Sequence, residues 1–224
     1  MPAQYARRFA DRRDAGRRLA AALRHLRSEA PMILALPRGG VPIGYEVAQA
    51  LDAPLDILIV RKIGAPGKPE FGLGAVVDGP EMTAVLDDSL VRLVAPPPGY
   101  VEAAIRREED EIARRRALYA PARPRVPLAG RCAVVVDDGI ATGSTARAAL
   151  RALRRQGPAR LVLAAPVASP EAAETLSAEA DEAVFLATPP DFEAVGAFYG
   201  DFRQTEDDEV MQLLREAGEH TGPA

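Results

Sequence analysis

The chain has 224 residues, 48% of them hydrophobic, and a formal charge of −4 at pH 7, with a pI near 5.4. That length suits one α/β domain over residues 1–224, with a decorated edge and a substantial core. Bases are interleaved with acids throughout, which argues against a nucleic-acid surface. Residues 1–27 lack the continuous apolar run of a signal peptide or membrane span, so neither nucleic acid nor membrane is an expected partner. The single Cys132 can form no internal disulfide, and its place at the head of an apolar run predicts a buried small side chain rather than a nucleophile. A reducing, cytoplasmic setting fits.

Residues 5–27 set Phe9, Leu19, Leu23 and Leu26 among arginines and alanines at loosely helical spacing. This predicts an amphipathic helix or helix pair covering a sheet edge, with Arg12, Arg13, Arg17 and Arg18 as a source of positive potential. His25 is expected at the surface and His220 in a frayed C-terminus, so no histidine metal site is supported. Residues 32–36 read as a strand, 37–40 as a tight loop, 41–51 as a helix and 56–60 as a second strand, a βαβ unit. In the loop, Gly39 and Gly40 permit unusual backbone angles and Arg38 offers a guanidinium suited to an oxyanion, although an ordinary glycine-rich turn would look the same.

The second strand ends in Arg61-Lys62, and residues 63–72 have the Gly/Pro density of a mobile loop. Of 28 Lys plus Arg, only Lys62 and Lys68 are lysine, and both fall in this window. That points to a need there for a compact, flexible point charge. Residues 73–86 read as a β-hairpin turning at Asp78-Gly79-Pro80, outside the central sheet. Residues 100–119 predict a charged helix whose pairs Glu102/Arg106, Asp110/Arg114 and Glu111/Arg115 are each worth about 0.3 kcal/mol. Its narrow stripe of Val101, Ile105, Ile112 and Tyr119 suits a solvated helix with one packed seam, or the contact surface of a homodimer. Residues 121–127 form a stiff proline-rich connector.

The β-branched run from Val134 has the composition of a buried parallel strand and passes through Asp137 and Asp138 into a hydroxyl-rich turn before a helix at 146–156. Gly143 lets backbone approach an anion, Thr142, Ser144 and Thr145 offer hydroxyls, and the amides opening the next helix are unpaired. Asp137 and Asp138 repel phosphate but can accept from sugar hydroxyls or ligate a hard cation. The bland alternative, a strand ending in a helix cap, needs only one of these side chains. Gly157-Pro158 stops the helix, strands follow at 161–165 and 183–186 with a short helix between, and residues 205–208 cap a terminal helix to Leu214. The alternation predicts an α/β fold, a mostly parallel twisted sheet flanked by helices.

The stretch from Val134 to Thr145 resembles the type I phosphoribosyltransferase signature: an apolar strand, two adjacent acids, three loop residues, then Thr-Gly-x-Thr. The resemblance covers a core of about 31–202, with an inserted hairpin and helix at about 71–125 and a hood at about 187–204. It implies that Thr142, Gly143, Ser144 and Thr145 bind the 5-phosphate of phosphoribosyl diphosphate, with Gly139, Ile140 and Ala141 completing the substrate-binding turn. Asp137 and Asp138 would bind the ribose 2- and 3-hydroxyls. Arg38, Gly39 and Gly40 would form the diphosphate loop, where the family often holds a strained or cis peptide. Arg61, Lys62 and Lys68 would reach the diphosphate, and Lys62, Asp137 and Asp138 are the implied catalytic residues.

The cofactor so implied is Mg2+, held by Asp137 and Asp138 directly or through substrate or water. The implied reaction displaces diphosphate from C1 by a nitrogen acceptor such as a nucleobase. Phe192, Tyr199 and Phe202 in the aromatic segment 189–203 could stack on a planar acceptor or simply pack the hood, and no base-reading pattern identifies the acceptor. Two alternatives stay open: a regulatory protein that senses phosphoribosyl diphosphate without turnover, and a general nucleotide or sugar-phosphate binder.

Overall fold

A computed structural model describes residues 9–79, 82–119 and 127–221. The first turns of the expected N-terminal helix, Pro80 and Glu81 of the hairpin turn, and nearly all of the proline-rich connector lie outside the described residues.

Helix α1 (Arg12–Ala22) starts at Asp11, whose carboxylate accepts from the Asp14 amide, and runs into a 3-10 turn at Arg24–Glu29. Then follow β1 (Met32–Ala35), α2 (Gly40–Leu51), β2 (Leu55–Ile57), β3 (Val60–Ala65), β4 (Lys68–Val77), β5 (Thr83–Leu86), α3 (Asp88–Val94) and α4 (Tyr100–Tyr119). The second half contains β6 (Cys132–Val136), α5 (Ser144–Arg154), β7 (Arg160–Val167), α6 (Pro170–Ser177), β8 (Glu182–Ala187), a 3-10 turn at Val195–Phe198 and α7 (Asp207–Thr221).

The central sheet is parallel with order β2-β1-β6-β7-β8, and β3-β4-β5 form a separate antiparallel sheet. Side-chain alternation splits the central strands between two cores. Ile33, Ala35, Val134 and Val136 face α1, α2 and α7, whereas Met32, Leu34, Ala133 and Val135 face α5 and α6. All five residues of β6 are buried, as its Val-rich composition requires of a strand covered on both faces. Among the described residues, no helix is long and apolar enough to cross a membrane.

Three expectations are corrected. The apolar run 56–60 is two strands, because Leu58 bonds Ala35 of the central sheet while the Ile59 carbonyl accepts from Asp78, which handles the crossing between sheets. Residues 63–72 are not a loop. They pair as the β3–β4 hairpin, turning at Gly67 (φ 68°), with register shifts around Gly64 where a Cβ would stand 2.4 Å from the Pro69 carbonyl. Arg61 and Lys62 therefore lie inside β3 and on opposite faces of it, rather than at a strand end.

Helix α4 has the predicted bounds, but its seam carries charge. Glu108 and Arg116 are buried beside Ala104, Ile112 and Tyr119. The Glu111–Arg115 pair forms at 2.7 Å, while Arg114 turns to Glu111 at 2.8 Å instead of to Asp110. Helix α3 was not anticipated. Its N-cap Asp87 accepts from the Ser89 and Leu90 amides.

Candidate active site

The carboxyl ends of β1 and β6 are neighbours, paired up to Ala35 and Val136, and the Leu36 amide continues the ladder to the Val136 carbonyl at 2.8 Å. The loops that leave them are consequently pressed together. A Cβ on Gly40 would lie 2.7 Å from the Val136 carbonyl oxygen, and one on Gly39 would lie 2.0 Å from Asp138 Oδ2, so glycine is what lets the first loop touch the acidic pair. The peptide between Pro37 and Arg38 is cis.

The two carboxylates have different partners. Asp137 Oδ1 accepts from the Asp138 amide at 2.8 Å. Asp138 Oδ2 accepts from Arg12 Nε at 2.8 Å and makes an ion pair with its Nη2 at 2.8 Å. Burial, and then the neighbouring charge of Asp138, push the Asp137 carboxyl well above the usual range. Burial also raises Asp138, with the Arg12 guanidinium pulling the other way. Beyond the acids, Gly143 takes φ 72° and opens α5, and Thr142 Oγ1 and Ser144 Oγ stand 3.3 Å apart on the exposed rim. The first amides of α5 have no intrahelical acceptor, which makes this turn an anion cradle. Acids suited to hydroxyls thus adjoin donors suited to a phosphate.

A family model described as "Phosphoribosyl transferase domain" matches residues 10–196. The chain belongs to the phosphoribosyltransferase family. Among solved structures it resembles TT1426 from Thermus thermophilus, with a TM-score of 0.82 and 48% identity over 93% of this chain and 98% of that one. Among curated proteins it is 46% identical, over 93% of its length, to Mycobacterium tuberculosis proteins of strains H37Rv and CDC 1551 that carry a provisional phosphoribosyl transferase name. The chain spans about half, 47%, of the length of those relatives. The parallel sheet with its flanking helices is the type I phosphoribosyltransferase fold.

Within this phosphoribosyltransferase fold, Lys62 lines a cavity of about 390 Å³ together with Gly72, Gly74, Thr142, Ser144 and Arg147. Lys68 stands exposed at the hairpin tip. Arg61 points the other way, its Nε donating to Glu108 at 2.9 Å. Arg38 sits 3.6 Å from Asp207 and 3.9 Å from Glu206 at the start of α7. The basic groups expected on one diphosphate therefore divide among three directions.

In the turn, Ile140 is buried, its amide donates to Val167 and its carbonyl accepts from Ser169, so it acts as a brace. Gly139 backs onto Val195, whose Cγ1 a Cβ there would meet at 2.3 Å, and the Ala141 carbonyl accepts from the Ser169 hydroxyl at 2.7 Å. Thr145 is half-buried in the first turn of α5.

The aromatics of segment 189–203 also separate. Tyr199 is buried and donates its hydroxyl to the Asp138 carbonyl at 2.5 Å. Burial, and then the nearby charge of Asp138, push its phenol upward. It offers no stacking face. Phe192 stacks on Phe198 with ring centroids 5.8 Å apart and borders a second cavity, of about 420 Å³, with Thr142 and Gly143.

Two residues at the site had little sequence signal. Arg12 was one of four α1 arginines named for their potential, and nothing in spacing singled it out. Arg147 occupies the first turn of α5, where a base opposes the helix dipole, and that inverted sign was the available clue. Among the described residues no group of three His, Cys, Asp or Glu side chains could hold a metal ion. Asp137 and Asp138 supply a pair of hard oxygen donors, the donor type that suits a hard divalent cation.

Proposed function

We propose that the chain binds 5-phosphoribosyl 1-diphosphate and transfers its phosphoribosyl group to a nitrogen acceptor. The observation that carries this reading is the contact of the Gly39-Gly40 loop with the Asp137-Asp138 pair, one turn from the hydroxyl-rich start of α5. A ligand with a phosphate at one end, a diol in the middle and a second anion at the other matches that order of groups.

Thr142, Gly143, Ser144 and Thr145 receive the 5-phosphate, Asp137 and Asp138 accept from the ribose hydroxyls, and the backbone of Gly39 and Gly40 flanks the diphosphate. Lys62, from across the cavity, adds a mobile cation. The C1–O bond to diphosphate breaks with its electron pair leaving on oxygen, and the acceptor nitrogen bonds C1 from the opposite face. The positive charge that builds on the sugar ring is stabilised by the two carboxylates beside it. Neutralising the leaving diphosphate is the chemistry a bound magnesium ion supplies, and Asp137 and Asp138 are the residues that would face it through water or substrate. The β3–β4 hairpin, carrying Lys62 and Lys68, would keep water from C1, where its attack would hydrolyse the same bond.

Release of diphosphate from phosphoribosyl diphosphate and magnesium, measured across nucleobases and small amines, tests the reading. Acceptor-dependent release supports it. A second reading, a regulatory protein that binds the same ligand without turnover, is favoured by one feature: Arg38 and Arg61 are engaged by the acids Asp207, Glu206 and Glu108. Tight binding with no release for any acceptor would select it.

A further inference from the structure

We propose that Arg12 is a positioning residue that fastens the hood to Asp138 and so fixes the carboxylate that receives the ribose. This rests on the reading of the site as a phosphoribosyl diphosphate site and adds to it a residue from outside its motifs.

All three guanidinium nitrogens of Arg12 are used. Nε and Nη2 meet Asp138 Oδ2, each at 2.8 Å, and Nη1 donates to the Arg203 carbonyl at 2.7 Å. The Arg12 Cζ lies over the Phe202 ring, 4.0 Å from the centroid, and 6.0 Å from the centroid of Tyr199. Tyr199 in turn donates to the main-chain carbonyl of Asp138. Asp138 is therefore gripped at its side chain by α1 and at its backbone by the hood, and one guanidinium joins the two.

The other arginines of α1 do not share this role. Arg13 and Arg17 pair with Glu46, and Arg18 pairs with Asp14, on side chains about half exposed. Arg12 retains only 12% exposure, so solvent screens it little.

The geometry also requires arginine. A lysine ammonium at this place is one nitrogen and cannot reproduce three separate nitrogens reaching Asp138 and the Arg203 carbonyl from over the Phe202 ring. With Oδ2 held by Arg12, the Asp138 carboxylate is restrained from rotating. Without Arg12, its carboxylate is free to rotate and the strand of hood around Arg203 loses its tie to the sheet.

The test compares Arg12→Ala and Arg12→Lys with Arg13→Ala, a neighbouring arginine outside the site. Calorimetric titration with phosphoribosyl diphosphate plus magnesium is run beside titration with inorganic diphosphate plus magnesium. Hydrogen exchange is followed at the Gly200 and Asp201 amides, which tie the hood to Phe9 and Ala10.

Both Arg12 variants should weaken phosphoribosyl diphosphate by about ten-fold or more, leave inorganic diphosphate within about three-fold, and speed exchange in the hood, with Arg13→Ala like wild type. Full rescue by lysine, or equal losses for both ligands, would overturn the assignment. Failure of the wild-type chain to bind phosphoribosyl diphosphate would instead remove the reading of the site. In that case the exchange rates still decide whether Arg12 fastens the hood: unchanged exchange in Arg12→Lys would overturn it.

Discussion

Replacing Gly39 with alanine would place a Cβ 2.0 Å from Asp138 Oδ2 and 2.5 Å from its Cγ, with Arg12 Nε 3.2 Å away. Real Cβ contacts essentially never fall below 3.0 Å. Either the carboxylate or the loop must retreat, by about 1 Å, and because Arg12 bonds the same carboxylate oxygen and lies beside the added carbon, the motion disturbs that bond as well. A displacement of about 1 Å at a reacting centre costs on the order of 100-fold in rate. Overpacking at a single methyl costs about 1–3 kcal/mol in stability, within the reserve of a typical domain.

Gly130→Ala is the control. Its φ of 71° makes alanine unfavourable there too, yet nothing lies within 4 Å of the added carbon, and the residue precedes β6 at the opposite end from the site. Both variants would be followed by urea denaturation, by titration with phosphoribosyl diphosphate and by initial rates of diphosphate release. Gly39→Ala should lose binding and rate while folding, and Gly130→Ala should lose only stability. A folded Gly39→Ala protein within about three-fold of wild type in affinity and rate would refute the packing of these loops as the basis of the site.

Because Lys62 and Arg61 face opposite sides of β3, they should separate by assay. Lys62→Ala is expected to weaken phosphoribosyl diphosphate by about ten-fold or more with little change in urea midpoint. Arg61→Ala should lower stability by about 1–3 kcal/mol, through loss of its bond to buried Glu108, with affinity nearly unchanged. Equal affinity losses would contradict the placement. Arg116 bridges Asp56 at 2.5 Å, Asp78 at 3.1 Å and the Ile57 carbonyl at 2.9 Å, all buried. Arg116→Ala should therefore cost about 3–5 kcal/mol in urea unfolding, and a loss below about 1 kcal/mol would mean the network contributes little. Burial pushes the Cys132 thiol up to about 11 and, with an added bond to Asp207, the Tyr119 phenol up to about 12. Both protonated forms are favoured by folding. That stability is present in full below about pH 9 and should fall as pH rises from about 9 to 12. Tyr119→Phe should flatten the upper part of the slope, and wild-type stability unchanged between pH 9 and 12 would contradict the shifts.

The parallel sheet was readable because its strands are short β-branched runs buried on both faces and its helices carry stop signals such as Gly157, which takes φ 68°. The acidic pair and the Thr142–Thr145 turn were readable because their residue types answer one chemical need within a single segment. What escaped was set by partners distant in sequence. The 63–72 segment looked like a loop because Gly64, Pro66 and Gly67 dominate its composition, yet those residues allow a tight hairpin whose strands approach closely at Gly64.

Strand alternation in β3 separates Arg61 from Lys62, a consequence invisible while both were assigned to a strand end. Glu108 and Arg116 read as solvent charges on a charged helix, because their partners Arg61, Asp56 and Asp78 lie 38 to 60 positions away. Arg12 and Asp138 are 126 positions apart, and only the fold brings them into contact. Tyr199 was aromatic in the right segment, but its direction, toward the Asp138 backbone, follows from packing against Phe9 and Phe202.

The most direct measurement is calorimetric titration of the wild-type chain and of the Asp137→Asn/Asp138→Asn double variant with phosphoribosyl diphosphate and magnesium, with a nucleoside monophosphate and a nucleoside triphosphate as comparators. Saturable binding that favours phosphoribosyl diphosphate, and a loss of about ten-fold or more in the double variant, is the predicted result. Equal affinity for the nucleotides, or a double variant that binds phosphoribosyl diphosphate as wild type does, would contradict a ribose-binding role for the acidic pair.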